Sequence, residues 1–248
     1  MSPAGPPPAG VREDLLEPGV LRWVLDNPAR RNAIAPPVFA WMARRCAELR
    51  GEVVILRGEG DRAFSAGFDL TALAELDPAK TGSTEPPDQI LIRATAAMHE
   101  ADATFVAALN GYVIGAGVEL VAAADLRLAC PAASLRVPAG KLGVVYHAAG
   151  LTRIHAAFGS TVTRRLFLAG EQVTIADAAA SLTAIVELAD LDDEALALAR
   201  RIRELQPRSV TGNRRLLRAL DRAVALPADL LETHEQARRD AYAKLGLP

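Results

Sequence analysis

The order of hydrophobic patterns along the chain predicts an α/β fold with a helical C-terminal region. Short apolar runs, typical of buried strands, alternate with stretches of helical spacing as far as residue 190. From residue 191 onward the spacing is helical, and helices are predicted over 192–205, 207–225 and 228–245. Half of the 248 residues are hydrophobic, so the chain can bury a sizeable core.

Composition divides the chain into three expected segments and excludes several classes of protein. Residues 1–10 are rich in Pro, Ala and Gly and do not read as a signal peptide, so we expect a disordered leader. The α/β core is predicted over 11–190 and the helical region over 191–248. No uncharged apolar run reaches roughly 18 residues, so no membrane helix is expected. A net charge of -2 gives no reason to expect nucleic acid or an anionic membrane as a partner.

Two cysteines, Cys46 and Cys130, suggest neither a disulfide framework nor a zinc site, and no other metal site is expected. A reducing cytoplasm is therefore the default location.

Local patterns place the individual elements of the core. Strands are expected where the residues are apolar throughout or alternate with polar ones, over 20–26, 53–56, 104–109, 125–130, 134–137 and 183–188. Helices are expected where apolar residues recur at helical spacing, over 38–49, 70–76, 89–101, 161–168 and 174–180, and residues 141–146 are expected to lead into a further helical stretch that ends at Phe158. The first helix is the clearest, with one face formed by Val38, Met42, Cys46 and Leu49. A charged turn is expected over 27–32, and a surface loop over 77–87.

One central segment combines features of a catalytic site. The strand that ends at Leu109 is broken by Asn110-Gly111, and three small residues, 115–117, then open an apolar segment that can be helical. Small residues let a ligand approach the backbone, and free N–H groups at a helix start favour negative charge. Glu119 follows within one turn. The segment can therefore hold an oxyanion and move a proton.

Four stretches in this order resemble motifs of the crotonase superfamily, the enoyl-CoA hydratase/isomerase family. They are 27–33, 64–70, 110–127 and 138–150, within a resemblance that runs from about residue 20 to about residue 217. The resemblance implies a crotonase-like spiral of ββα units with a helical C-terminal trimerisation region. It also implies an acyl-CoA ligand, a homotrimer or hexamer (a dimer of trimers), and no cofactor beyond the coenzyme A that the substrate carries.

The resemblance also assigns roles to individual residues. The backbone N–H groups of Phe68 and Ala116 map to the oxyanion hole that holds the thioester carbonyl, where loss of one donor typically costs about 3–4 kcal/mol. Glu119 maps to the first of the two glutamates that hydratases place around a water molecule. Four residues map to the CoA-binding surface: Arg30, Arg31, Ala33 and Ala66.

The chain departs from the family pattern at the second glutamate. Ala139 stands at that position and cannot move a proton. Tyr146 and His147 stand where the family often has Pro-Gly, which places two polar side chains near the acyl pocket. Tyr146 is interpreted either as a pocket-lining residue or as a catalytic one. A methylmalonyl-CoA decarboxylase branch also has a Tyr and a Glu at the positions of Tyr146 and Glu119, but a His at that of Phe68.

Each candidate also has a structural interpretation. A buried Glu119 must be paired or functional, and a salt bridge to an Arg is the alternative to catalysis. Asp69 is expected to cap the helix that follows it rather than to do chemistry. Ser65 lacks the first Gly of a nucleophile elbow.

Three functions therefore remain open. The first is a hydratase-like enzyme that works through a thioester enolate, with one of the two usual glutamates absent. The second is a decarboxylase of a malonyl-type thioester. The third is a non-catalytic acyl-CoA-binding protein.

Overall fold

The structure, a computed structural model, describes residues 4–69, 71–72, 86–222 and 226–246. Within these ranges ten strands form two sheets, and eight α-helices surround them. The strands are β1 (Val11–Glu17), β2 (Val20–Leu25), β3 (Arg50–Gly58), β4 (Ala63–Ser65), β5 (Asp102–Leu109), β6 (Tyr112–Ile114), β7 (Leu126–Ala129), β8 (Ser134–Arg136), β9 (Gln172–Thr174) and β10 (Ala184–Ile185). The helices are α1 (Pro36–Cys46), α2 (Gln89–Glu100), α3 (Ala116–Ala123), α4 (Ala139–Leu142), α5 (Ala148–Phe167), α6 (Leu191–Arg203), α7 (Pro207–Asp221) and α8 (Ala228–Lys244).

The two sheets are built from a repeated unit. The larger sheet has the order β1-β2-β3-β5-β7-β10, and the smaller one has the order β4-β6-β8-β9. From β3 onward, a strand of the larger sheet is followed by a short strand of the smaller one, as in β5-β6-α3 and β7-β8-α4. This ββα repeat is the crotonase-like spiral that the resemblance implies. The role of the C-terminal helices in trimerisation stays a prediction.

The smaller sheet determines where the candidate site lies. Its strands β4, β6 and β8 run parallel to one another. The chain segments that leave their carboxyl ends therefore emerge at one edge of the sheet, which is where ligands bind in many parallel sheets.

Helix α1 confirms the face that its spacing predicts. Val38, Met42 and Cys46 are buried, as is Leu49 just beyond the helix. Trp41 of the same helix packs against Trp23 with ring centroids 5.1 Å apart. The larger sheet and α1 thus share one core.

Tertiary pairing overrides local pattern after residue 170. The helix expected over 174–180 is wrong: β9 occupies 172–174, and a 3₁₀ turn forms over Ala179–Ser181. The β-branched residues Val173 and Thr174 suit an edge strand, and Val173 pairs with Leu135 of β8. The strand expected over 183–188 has only two residues, those of β10.

The first strand also differs from expectation, whereas the two parts of α5 agree with it. β1 is absent from the expected strands because charged residues interrupt its apolar pattern, yet it pairs with β2 along its length. The helical stretch expected to end at Phe158 and the helix expected over 161–168 are confirmed as the two parts of α5, which Gly159 (φ 74°) separates. Gly159 lies in the left-handed region that glycine tolerates, which explains why the two patterns read as separate helices.

The described part of the expected leader, residues 4–10, lies against the core rather than free of it. Ala4 is buried, and its N–H donates to Glu48 Oε1 at 2.6 Å. Trp41 Nε1 donates to the carbonyl of Gly5 at 3.2 Å. The helix expected over 70–76 and the loop expected over 77–87 lie almost wholly outside the described residues.

No helix among the described residues has the length and apolar character needed to cross a membrane.

Candidate active site

Two neighbouring strand ends bring Phe68 and Ala116 to the same edge of the smaller sheet. Ser65 of β4 pairs in parallel register with Val113 of β6, and each candidate lies three residues beyond its strand partner. The backbones of the two segments that carry these residues are in contact. A Cβ atom added to Gly67 (φ +87°) would lie 2.8 Å from the carbonyl oxygen of Ile114 and 3.3 Å from the nitrogen of Ala116.

The local backbone leaves both candidate N–H groups available. Ile34 N–H donates to the carbonyl of Gly67 at 2.7 Å, and Asp69 N–H donates to the carbonyl of Ile34 at 2.9 Å. Neither of these two hydrogen bonds uses Phe68 N–H. Ala116 is the first residue of α3, and its N–H has no intrahelical acceptor. Among the described residues, neither N–H has a backbone or side-chain acceptor. Two free donors on touching segments fit the predicted oxyanion hole.

Glu119 lies one turn into α3 and is fully buried, with 0% of its surface exposed. Its Oε1 accepts from Arg153 Nη1 at 2.6 Å and lies 3.1 Å from Thr95 Oγ1. Its Oε2 accepts from Tyr146 O–H at 2.8 Å and lies 3.0 Å from His147 Nε2. The carboxylate is thus surrounded by four hydrogen-bonding groups.

The hydrogen bonds of His147 assign its tautomer. The side chain caps α5, where Nδ1 accepts from Gly150 N–H at 3.0 Å. The proton of a neutral imidazole must then lie on Nε2, which donates to Glu119. A Cβ atom on Gly150 would lie 2.7 Å from Glu119 Oε2 and 2.6 Å from the Tyr146 ring. Glycine is therefore needed there for the three side chains to meet.

The surroundings of Glu119 and Tyr146 move their pKa values apart. Burial by itself raises the pKa of Glu119, but the hydrogen bond and charge of His147, followed by the charge of Arg153 and the hydrogen bond of Tyr146, outweigh it and lower the pKa below its ordinary value. Burial and the nearby Glu119 charge raise the pKa of Tyr146 well above its ordinary value. The pair is therefore a carboxylate that accepts and a neutral phenol that donates.

The salt bridge considered as the alternative interpretation of Glu119 is present, and its partner is Arg153. Sequence reasoning did not single out Arg153 or Thr95. Thr95 is a polar residue on the buried face of α2, which is a weak signal. Arg153 lies 34 residues from Glu119 in sequence, and no local pattern relates the two.

Ala139 lies beyond the third parallel strand of the same edge. Arg136 of β8 pairs with Ile114 of β6, and Ala139 begins α4 three residues later. The residue is buried, and its methyl group offers no hydrogen bond. The position expected to carry a second acid thus lies at the same edge of the sheet as Phe68 and Ala116, but the residue there is not an acid.

The four residues predicted to bind CoA form one cluster. The Arg31 carbonyl accepts from Ala66 N–H at 2.8 Å, and the Arg30 carbonyl accepts from Ala33 N–H at 3.1 Å. The two arginines are exposed, and the two alanines are half-buried. The Arg30 guanidinium contacts both oxygens of Asp69 at 2.9 and 3.0 Å. One of the two predicted cations is therefore already paired.

Asp69 and Ser65 make the structural contacts expected of them. Asp69 Oδ1 accepts from Thr71 N–H at 3.0 Å, which is the geometry of a cap. Ser65 Oγ donates to the carbonyl of Asn32 at 2.8 Å and accepts from Gly67 N–H at 3.0 Å. Ser65 therefore holds the loop before Phe68 in place.

Helix α8 closes over the loop that carries Tyr146. His234 Nε2 lies 2.7 Å from the carbonyl oxygen of Tyr146, a contact that the sequence did not suggest. Nearby, Arg238 Nη2 donates to Asp88 Oδ1 at 2.5 Å, and both side chains are largely buried. The C-terminal helix thus buttresses the backbone that positions Tyr146.

A cavity of about 1050 Å³ lies among α2, α3, α5 and the C-terminal helices, and Arg153 forms part of its wall. The wall also includes His99, whose pKa is lowered to about 3 by burial and then by neighbouring arginines such as Arg218. Phe68, Ala116 and Tyr146 do not line it. Arg153 therefore stands between this cavity and Glu119.

Comparison with known proteins gives relatives with the same fold. Residues 16–241 match the family model described as enoyl-CoA hydratase/isomerase. Carnitinyl-CoA dehydratase from Salmonella agona (strain SL483) is 28% identical over 210 residues, which cover 81% of this chain and 77% of the relative.

Among solved structures, a monofunctional enoyl-CoA isomerase from M. smegmatis aligns with a TM-score of 0.70 at 27% identity, covering 92% of this chain and 98% of the other. A methylmalonyl-CoA decarboxylase aligns with a TM-score of 0.80 at 24% identity, covering 98% and 91%, which shows a shared fold. The family match spans nearly the whole chain, and this chain therefore belongs to the enoyl-CoA hydratase/isomerase family.

Proposed function

We propose that the protein is an acyl-CoA-processing enzyme that stabilises a thioester enolate between the N–H groups of Phe68 and Ala116. One observation carries the proposal: two N–H groups that have no acceptor among the described residues lie on segments in contact, with the carboxylate of Glu119 one turn further on. Charge that develops on the thioester oxygen gains two donors there without reorganisation of the site. Proteins that resemble this chain are named for CoA thioesters, as in carnitinyl-CoA dehydratase.

Coenzyme A is part of the substrate in this proposal, and no other cofactor is needed. The exposed loop with Arg30 and Arg31 offers positive charge for the phosphates, and the backbone of Ala33 and Ala66 offers polar groups for the adenine end. Arg30 must share its charge between the ligand and Asp69.

Within the site, Glu119 is proposed as the acid or base. Tyr146 keeps its proton at neutral pH and helps by donating a hydrogen bond rather than by ionising. His147 and Ala139 line the acyl pocket. With Ala139 in place of a second acid, hydration must use Glu119 for both proton transfers or obtain one of them from water.

Decarboxylation of a malonyl-type thioester is the second candidate, and the hydrogen bonding of Glu119 favours it. A carboxylate that engages four hydrogen-bonding groups and has a lowered pKa is a weak base. Loss of carbon dioxide needs no base, because the electron pair of the broken C–C bond forms the enolate directly. The same two N–H groups would hold the enolate oxygen.

Mass spectrometry of the purified protein with crotonyl-CoA, a 3-enoyl-CoA and methylmalonyl-CoA tests the proposal. Gain of water supports hydration, and loss of carbon dioxide supports the second candidate. Isomerisation leaves the mass unchanged, so the 3-enoyl product must be separated by chromatography. Binding of these esters without any turnover would contradict an enzymatic role and favour a non-catalytic acyl-CoA-binding protein.

A further inference from the structure

Arg153 is the closest charged partner of Glu119 and belongs to a different helix. Its Nη1 lies 2.6 Å from Glu119 Oε1, and 11% of its side chain is exposed. Its Nε is buried and has no hydrogen-bond partner among the described residues. Among the described residues, the hydrogen bond that the guanidinium makes from Nη1 is directed at this carboxylate.

We propose that Arg153 is a positioning residue that keeps Glu119 charged and fixes the orientation of its carboxylate. The proposal rests on the proposed function and deepens it, because it names the residue that governs the acid–base group of the same site.

The other groups that contact Glu119 do not carry a permanent positive charge. Thr95 and Tyr146 are neutral hydroxyls, and His147 is charged only when it is protonated. In the described part of the chain, Arg153 is thus the one permanent cation within hydrogen-bonding distance of Glu119. A fully buried carboxylate without such a cation favours its protonated form.

The division of the two oxygens supports an orienting role. Oε1 is held by α2 and α5, through Thr95 and Arg153, whereas Oε2 meets Tyr146 and His147 of the loop. A guanidinium directs its donors in a plane, so it fixes a carboxylate more narrowly than an ammonium does. Arg153 therefore keeps Oε2 turned toward the loop.

Further charged or titratable groups surround this pair but make no hydrogen bond to Glu119. They are Asp88 just before α2, His99 in the last turn of α2, Arg218 of α7 and Arg222 just after α7. A variant at position 153 leaves all of them in place.

The first experiment needs no substrate, so it is independent of the proposed function. Thermal unfolding of the wild type, E119Q, R153Q and the R153Q/E119Q double variant is measured between about pH 3 and pH 8. The wild-type pKa of Glu119 lies below its ordinary 4.5, so the stability that Glu119 contributes is present above that pH and is lost as the pH falls. If Arg153 keeps Glu119 charged, as proposed, burial dominates in its absence, so the folded-state pKa should rise above its ordinary value and the carboxylate should then weaken folding as the pH rises.

The expected result is a reversal of sign. The Tm difference between the wild type and E119Q should grow in favour of Glu119 with increasing pH. The difference between R153Q and R153Q/E119Q should change in the opposite direction. The same pH dependence in both backgrounds would overturn the proposal.

Two outcomes and a control address a failure to fold. If R153Q is unfolded but R153Q/E119Q folds, the uncompensated Glu119 charge is the cause, and the proposal is supported. If neither folds, Arg153 acts through something other than Glu119, and the proposal is overturned. R153K should keep the wild-type sign with a smaller effect. R214Q breaks the pair with Asp125 on the wall of the same cavity and should leave the Glu119 effect unchanged.

Once a substrate is known, the pH dependence of kcat/KM provides a second measurement. In R153Q the acidic limb should move to higher pH, and R153K should return it toward the wild-type position. An acidic limb that stays in place while kcat falls would show a merely structural role.

Discussion

At the scale of the residue, Glu119 combines complete burial with complete hydrogen bonding. A charge is costly to bury unless it is paired, and here Arg153 pairs it while Thr95, Tyr146 and His147 surround it. Hydrophobic stabilisation does not offset the free-energy cost of burying this charge. A charged group maintained at this cost one turn from two free N–H groups is a strong candidate for function.

Replacement of Glu119 by Gln tests that candidate. The amide keeps the shape but cannot act as acid or base, so turnover should fall by about 10²–10⁴-fold. The measurement is the rate on whichever thioester the mass spectrometry identifies. E171Q provides the control, because Glu171 pairs with Arg165 at an exposed position far from α3 in sequence. Unchanged turnover in E119Q would rule out Glu119 as the acid–base group.

Gly150 gives a second prediction at this scale. A methyl group there would press on Glu119 Oε2, Tyr146 and His147, so G150A should lower the free energy of unfolding by about 1–3 kcal/mol. The control is G212A in α7, where an added Cβ meets nothing within 4 Å and helix propensity favours Ala. Denaturant unfolding measures both variants. Equal stability of G150A and the wild type would mean that the three side chains have room to separate.

At the scale of the element, α8 is attached to the core by a few polar contacts. Arg238 pairs with Asp88, and His234 contacts the carbonyl of Tyr146. The helix has little apolar burial of its own, since its buried residues are Arg238 and Tyr242. Its docking therefore depends on the Arg238 pair more than on packing.

We expect R238Q to release α8 and to cost about 3–5 kcal/mol, because Asp88 would remain buried without its cation. Hydrogen exchange should rise over α8 and over the loop at Tyr146. The matched control is R239Q, whose side chain is 69% exposed and lies 3.7 Å from Glu235. If exchange rises equally in the two variants, the Arg238–Asp88 pair does not hold the helix.

The elements also show how far the sequence predicts the structure. Helical spacing identified the buried face of α1, and motif resemblance identified the segments of Phe68 and Ala116. The helix expected over 174–180 was wrong, because the pairing of β9 with β8 is a tertiary effect that no local window contains.

The same limit explains why Arg153 was not singled out. The partner of Glu119 is chosen by the packing of α5 against α3, and the helix pattern of α5 is equally compatible with a solvated arginine. The absence of an acid at position 139, in contrast, was recognised from the sequence, because the identity of a residue can be read without any structure.

At the scale of the whole molecule, the C-terminal helices expose apolar surface. Leu216, Leu217 and Leu220 of α7 are each 59–63% exposed. Clustered exposed leucines are typical of a surface that another chain covers. The proposed homotrimer or hexamer would bury such a surface.

Light scattering during size-exclusion chromatography should therefore give the mass of three or six chains. L217E should shift the protein toward smaller species, because a charge would enter the proposed interface. L15E is the control, since Leu15 is 70% exposed on β1 and lies outside the C-terminal helices. A wild-type protein that elutes as a single chain at all concentrations would contradict the proposed assembly.

The residues that follow the three parallel strands of the smaller sheet differ in which functional groups a mutation can remove. Phe68 and Ala116 contribute main-chain donors, and no substitution other than proline removes a backbone N–H. Ala139 stands where only a side chain could act, and a single codon change is enough to add or delete a carboxylate there. Under the proposed function, such a scaffold would keep its capacity to stabilise an enolate as the sequence changes, and substitution of single side chains would decide what becomes of that enolate.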